Sequence, residues 1–262
     1  MFRFDRSFGC RFAAGVDEAG RGSLAGPLVA AGVLIDLERI GTRERRALAH
    51  LDDSKQKSRE EREHLYPHVI RAAARVSVAV RSVRAIDTRG LHVSNVAALS
   101  DCMRAVAADA DDCARLVDGF RLPECELEHE RVVDGDARSA AIAAASVVAK
   151  VTRDRYMHRI AELYPRWNFA GNVGYSTPDH RDAIREHGIC RLHRRSFASI
   201  AYTQLEFGDD DVPVLGEAAA GGQAGQAGFG GGSEGVADVI DIREAIAAET
   251  DPDDVEAVAG DA

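Results

Sequence analysis

Phe12-Ala13-Ala14-Gly15-Val16-Asp17-Glu18, followed by Ala19-Gly20-Arg21-Gly22, is the stretch on which the fold turns. Residues 12–18 read as a short buried strand, small and apolar until it ends in two acids, and the Gly-Arg-Gly that follows reads as a turn. Successive strand side chains point to opposite faces, so Asp17 and Glu18 cannot share a face of an ideal strand. At a strand end followed by glycine they can still converge on one ion. Taken alone, the same residues also read as a solvated acidic turn. Within this stretch neither G-x-x-x-x-G-K-[ST] nor G-x-G-x-x-G occurs, which argues against a nucleotide-binding loop here.

Outward from this stretch, residues 28–35 form a second β-like run, and residues 75–83 alternate with period two, as a strand with one polar face does. Residues 94–109 have helical spacing. Residues 113–118 read as another short strand, stopped by Gly119. Residues 139–163 are Ala-rich and free of Gly and Pro, a long helix that ends before Pro165. Strands interleaved with helices predict an α/β or α+β domain. Two more acids fall beside predicted strand ends, Asp118 in Leu116-Val117-Asp118-Gly119 and Asp136 in Asp134-Gly135-Asp136. Each Asp-Gly taken singly reads as a turn. Together with Asp17 and Glu18 they suit a hard divalent cation such as Mg²⁺ or Mn²⁺, which takes oxygen ligands and offsets carboxylate repulsion.

The formal net charge of −10 over 262 residues hides an asymmetry. Residues 206–262 hold 15 Asp and Glu against Arg243 alone, a charge of −14, which leaves +4 on residues 1–205. The expected division is a catalytic domain over 1–205, whose mild positive charge suits a polyanion, and a Gly-rich acidic tail over 206–262. The stretch 216–235 is mostly Gly, Ala, Gln and Ser, too poor in apolar area to offset its ordering entropy, so the tail is expected to be disordered. Residues 236–248 have the pattern of a short acidic amphipathic helix. No apolar run reaches the ~18 residues of a membrane span, and the N-terminus lacks the apolar core of a signal peptide. Five cysteines without a C-x-x-C argue against a disulfide framework or zinc knuckle. A cytoplasmic protein with reduced thiols, monomeric and without membrane attachment, is the expectation.

The chain resembles type 2 ribonuclease H (ribonuclease HII) over residues ~12–200. The resemblance rests on Gly15–Gly22 with Leu24-Ala25-Gly26-Pro27, on Asp53-Ser54-Lys55 followed by Ser58, and on Leu116-Val117-Asp118-Gly119 with Gly135-Asp136. It continues through Ala143–Asp154, Gly174-Tyr175-Ser176-Thr177 and His193-Arg194-Arg195-Ser196-Phe197. It implies a ribonuclease H-like mixed β-sheet flanked by helices, with a C-terminal helical portion. It implies an endonuclease that cuts the RNA of RNA–DNA hybrids and cuts at ribonucleotides embedded in duplex DNA, leaving 5′-phosphate and 3′-hydroxyl ends. The family's metal-binding carboxylates map onto Asp17, Glu18, Asp118 and Asp136. The resemblance also implies that the backbone of Gly20, Arg21 and Gly22 reads the ribose 2′-hydroxyl and that Tyr175 packs on the sugar at the junction.

The residue chemistry agrees. Phosphodiester hydrolysis needs an activated water and a stabilised leaving oxygen, which metals held by several carboxylates supply. Telling RNA from DNA needs a contact to the 2′-hydroxyl, and a Gly-Arg-Gly turn lets backbone approach a sugar. Lys55 reads as a phosphate contact or a solvated lysine. Residues 1–205 contain just Lys55, Lys57 and Lys150, so arginine must supply most phosphate neutralisation. Ser146, Lys150 and Asp154 share one helix face, with Lys150 and Asp154 read as a helix-surface pair. His193-Arg194-Arg195 reads as a basic rim for the duplex. Two departures from the family stand out: Asp134 replaces a lysine, and Asn172-Val173 replaces a His-Lys pair. The missing charges leave a catalytically weak hybrid-binding module as an alternative. A junction-resolving nuclease is a second, but it would not need Gly20-Arg21-Gly22 or Tyr175.

Overall fold

The computed structural model describes residues 1–51 and 58–197. Asp53-Ser54-Lys55 and residues 206–262 lie outside the described residues, and so do the expectations for Lys55 and for the acidic tail. In chain order the elements are α1 (Phe2–Arg6), β1 (Phe12–Ala19), β2 (Leu28–Asp36), α2 (Thr42–Ala47), α3 (Arg59–Ala72), β3 (Arg75–Arg81), α4 (Val83–Arg89) and α5 (Leu91–Ala107). There follow β4 (Cys113–Asp118), β5 (Glu130–Val132), α6 (Gly135–Arg138), α7 (Ala140–Ala161), α8 (Phe169–Asn172) and α9 (Pro178–His187).

The strands form one sheet in the order β3-β2-β1-β4-β5. β3, β2 and β1 are antiparallel neighbours, whereas β1, β4 and β5 run parallel. Both faces are covered. Ala13, Ala19, Ala31 and Val33 pack with the alanines and valines of α7, while Ala14, Val16, Ala30 and Leu34 pack with Leu99, Met103 and Val106 of α5. Gly15 explains how closely α7 lies on β1. A Cβ there would sit 2.3 Å from the backbone of Ala141 and Ile142, so any side chain would push the helix away. The C-terminal helical portion has its own core, in which Tyr156, Met157 and Ile160 meet Phe169 and Leu192.

The boundaries follow local chemistry. β3 stops at Arg81 because Ser82 caps α4, its hydroxyl accepting from the Ala85 N–H at 3.2 Å. The long Ala-rich helix starts at Ala140, capped by Ser139 Oγ on the Ile142 N–H at 3.2 Å. Asp5 adds a second cap, since its buried carboxylate accepts from the Ala140 and Ala141 N–H groups at 3.0 and 3.3 Å. α3 and α9 go beyond the sequence reading. α3 begins with a capping box: the Ser58 hydroxyl accepts from the Glu61 N–H, and the Glu61 carboxylate accepts from the Ser58 N–H at 2.7 Å.

Candidate active site

Register gathers the acids. Val16 of β1 pairs with Val117 of β4, so Asp17 and Asp118 emerge side by side one residue further along parallel neighbours. The alternation that puts Ala13 and Leu116 against α7 puts both acids on the α7 face. Asp17 is 6% exposed. Burial and the charge of Glu18 push its carboxyl up to about 7; the Lys150 charge and a Ser146 hydrogen bond oppose the rise, and Asp118 adds to it. Lys150 donates from Nζ to Ser146 Oγ at 2.6 Å. It therefore serves Asp17, and Asp154, the partner expected for it, takes Arg62 of α3 at 3.1 Å. Glu18 belongs to the opposite face of β1, where Arg21 Nη1 lies 3.8 Å from its Oε1.

Asp136 arrives through the turn before α7. Asp118 Oδ1 accepts from the Gly135 N–H at 2.7 Å, which fixes the first turn of α6 beside β4. Asp136, the next residue, is buried. Asp134 is exposed in the left-handed region at φ 51°. The four acids are thus brought to one end of the parallel strands by pairing and by a single hydrogen bond. Among the described residues, no three His, Cys, Asp or Glu side chains already form a ligand set for one ion. The donors are nevertheless hard oxygens, and burial together with the charges of Glu18 and Asp118 raises the Asp17 carboxyl, a combination that fits a divalent cation.

The Gly20-Arg21-Gly22 turn sits next to this end. Gly20 has φ +84°, and a Cβ there would meet Arg153 Nε at 2.1 Å. Gly22 has nothing within 4 Å of a Cβ position, so the protein itself gives no reason for glycine there. The Arg21 guanidinium lies 5.6 Å from the Phe120 ring. Tyr175 is 39% exposed, and the Arg153 guanidinium lies 5.2 Å from the centre of its ring. The backbone oxygen of Tyr175 is 2.8 Å from Nδ1 of the buried His180, whose Nε2 is 3.1 Å from Nε2 of His193. Burial lowers the His193 imidazole to about 3, so it is neutral.

The expected basic rim is largely interior. His193 and Arg194 are buried, and only Arg195 of that trio is exposed. The reason is local pairing: Ala25 bridges to His193, and the Arg194 N–H donates to the Leu24 oxygen at 2.9 Å. Arg153 and Ser23 escape the sequence reading, and Arg194 enters it only as part of the expected rim. For the two arginines the signal is their position in Ala143–Asp154 and His193–Phe197, but arginine there reads as surface charge.

Acids at the ends of adjacent parallel strands in a mixed five-stranded sheet, under one long helix, define a ribonuclease H-like nuclease. The ribonuclease HII family model matches residues 14–200. A ribonuclease HII of Geobacillus kaustophilus is 40% identical over 203 residues, covering 76% of this chain and 74% of that one. The ribonuclease H2 of Pyrococcus horikoshii superposes with a TM-score of 0.60 at 26% identity, covering 74% of this chain and 97% of that one. Bst-RNase HIII in complex with Mn²⁺ shares the fold at 20% identity, with a TM-score of 0.56 over 71% of this chain and 65% of that one. The chain belongs to the ribonuclease HII family and is an endoribonuclease of the ribonuclease H type. Among the described residues no helix is long and apolar enough to cross a membrane.

Proposed function

We propose that this enzyme cuts at single ribonucleotides in duplex DNA as well as in RNA–DNA hybrids, using Mg²⁺ or Mn²⁺ held by Asp17, Glu18, Asp118 and Asp136. The observation that carries the reading is the adjacent placement of Asp17 and Asp118, with the Asp17 carboxyl held at about 7 by burial and neighbouring acids. Such a site favours a cation over the empty ionised state. Bound divalent metal supplies an activated water and stabilises the leaving 3′-oxygen, which leaves a 5′-phosphate. Lys150 places one positive charge beside Asp17 and so offsets part of the carboxylate repulsion in the metal-free site. Gly20, Arg21 and Gly22 approach the ribose by their backbone, and the open space over Gly22 supports that role. The Tyr175 ring packs on the adjoining sugar, and Arg21 meets a phosphate. With Asp134 and Val173 in place of lysines, phosphate attraction rests on the remaining arginines, and affinity should fall less steeply with salt than in a site that keeps both lysines.

The test is cleavage of a DNA duplex carrying one ribonucleotide. Cleavage is expected with Mg²⁺ or Mn²⁺, absent with chelator, and confined to the ribonucleotide. Binding without cleavage in either metal would replace this reading with a hybrid-binding module.

A further inference from the structure

Two buried arginines converge on the turn that faces the substrate. Arg194, fully buried, donates from Nη1 to the Arg21 backbone oxygen at 3.0 Å, and from Nε and Nη2 to the Gly26 oxygen at 3.1 and 2.9 Å. Arg153, also buried, donates to the oxygens of Pro27, Ala25 and Val173 at 2.9–3.0 Å, and to Ser23 Oγ at 2.8 Å. The Ser23 hydroxyl has one proton, and it goes to the Gly20 oxygen at 2.9 Å.

In a trans peptide unit the C=O and the following N–H point in opposite directions. Arg194 holds the Arg21 oxygen, so the Gly22 N–H of that peptide unit points away from Arg194; separately, a Cβ at Gly22 would meet nothing within 4 Å. Ser23 draws the Gly20 oxygen the same way, so the Arg21 N–H is turned away from it. A guanidinium fork suits this work because it is rigid, always charged and able to bond several oxygens at once.

We infer that Arg194, and Arg153 acting through Ser23, are positioning residues that orient both peptide units of the Gly20-Arg21-Gly22 turn and so present the Arg21 and Gly22 N–H groups to the ribose 2′-hydroxyl. The inference rests on the proposed reading of the turn as the ribose sensor. Neither arginine touches substrate in this scheme; each acts by fixing carbonyl direction. Lysine at 194 keeps the charge but cannot bond the Arg21 and Gly26 oxygens in the same geometry. Alanine at 23 breaks the relay to Gly20 and leaves Arg153 Nη2 still bonded to the Ala25 oxygen.

The experiment is equilibrium binding in Ca²⁺ of two duplexes, one all DNA and one with a single ribonucleotide, to the full chain and to Arg194→Lys and Ser23→Ala. The full chain should prefer the ribonucleotide duplex. Each variant should lose about tenfold of that preference, the scale of one hydrogen bond, with its affinity for all-DNA duplex unchanged. Equal weakening toward both duplexes, or an unchanged preference, overturns the inference. If thermal unfolding shows that Arg194→Lys does not fold, Ser23→Ala decides the matter alone. Cleavage in Mg²⁺ is scored in parallel. A full chain that cuts at the ribonucleotide but whose variants keep its preference refutes the positioning role alone. A full chain that does not cut refutes the proposed function.

Discussion

Two groups of buried charge lie within a few residues of each other and are handled in opposite ways. Arg153 and Arg194 are buried cations, and each is surrounded by neutral oxygens that accept from it. Asp17 is a buried acid whose nearest charged neighbours include two more acids, and its carboxyl rises to about 7. Burying a charge is costly unless hydrogen bonds replace water. The arginine region meets that condition within the chain. The acid region meets it only in part: Asp17 accepts from the Glu18 N–H at 2.8 Å, yet burial and the charges of Glu18 and Asp118 still raise its carboxyl, and that imbalance marks where a cation would fit.

The comparison is most sharply broken at the acids. Asp118→Asn keeps shape but removes a ligand charge, and turnover in saturating Mg²⁺ should fall at least about 10³-fold, since metal stabilisation of the transition state is worth several kcal/mol. The variant should melt cooperatively near the parent temperature. Near-parent turnover would remove Asp118 from the site. On the arginine side the expected damage is to stability. Arg153→Met strands the oxygens of Pro27, Ala25 and Val173, at a cost of about 3 kcal/mol. That corresponds to a melting temperature lower by roughly 6–12 °C. A melting curve unchanged within a degree would show that these bonds contribute nothing net.

Asp17→Asn sharpens the contrast, because removing this charge should stabilise the metal-free protein. The folded carboxyl titrates near 7, above the unfolded value of 3.8, so the folded state binds the extra proton between those values and loses stability as pH rises through them. The advantage of Asp17→Asn should therefore be absent below about pH 4 and complete above about pH 7, amounting to a few kcal/mol at most. Mg²⁺ should stabilise the parent and narrow the gap. Thermal melts of both proteins across pH, with and without Mg²⁺, read this directly; a destabilised variant at pH 8 without metal would contradict it.

Two smaller effects probe the seam between the regions. Tyr175→Phe should keep most activity, while Tyr175→Ala should lose about tenfold in kcat/KM, because the ring carries the contact. Equal activity in both would reduce Tyr175 to a cover over Arg153. Val173 is β-branched yet adopts φ +43°, with its oxygen held by Arg153. Asparagine tolerates that conformation better, so Val173→Asn should raise stability by about 0.5–1 kcal/mol in the same melts. A loss of stability instead would mean that the packing of Val173 outweighs its backbone strain.

Much of this molecule was legible from residue order. The strands at 12–18, 28–35 and 113–118 and the long helix after Ser139 show in the sequence because small and apolar runs bounded by Gly, Ser and Pro leave few alternatives. The acids were legible as a set because four carboxylates at strand ends and turns point to metal chemistry, and the family blocks gave their order. Where they stand relative to one another was not. That depends on the Val16–Val117 register and on the Gly135 N–H to Asp118 bond, contacts between segments about 100 and 17 residues apart. The largest misreading was His193-Arg194-Arg195, taken as a basic rim. Charge in a sequence reads as surface because water is the cheapest place for it. Only the folded chain shows that the oxygens of Arg21 and Gly26 take the place of water around Arg194. The sequence by itself determined the chemistry of this protein, since residue types and order set which groups are available. Tertiary structure alone decided which charges are balanced and which are not, because that balance is a property of distances across the fold.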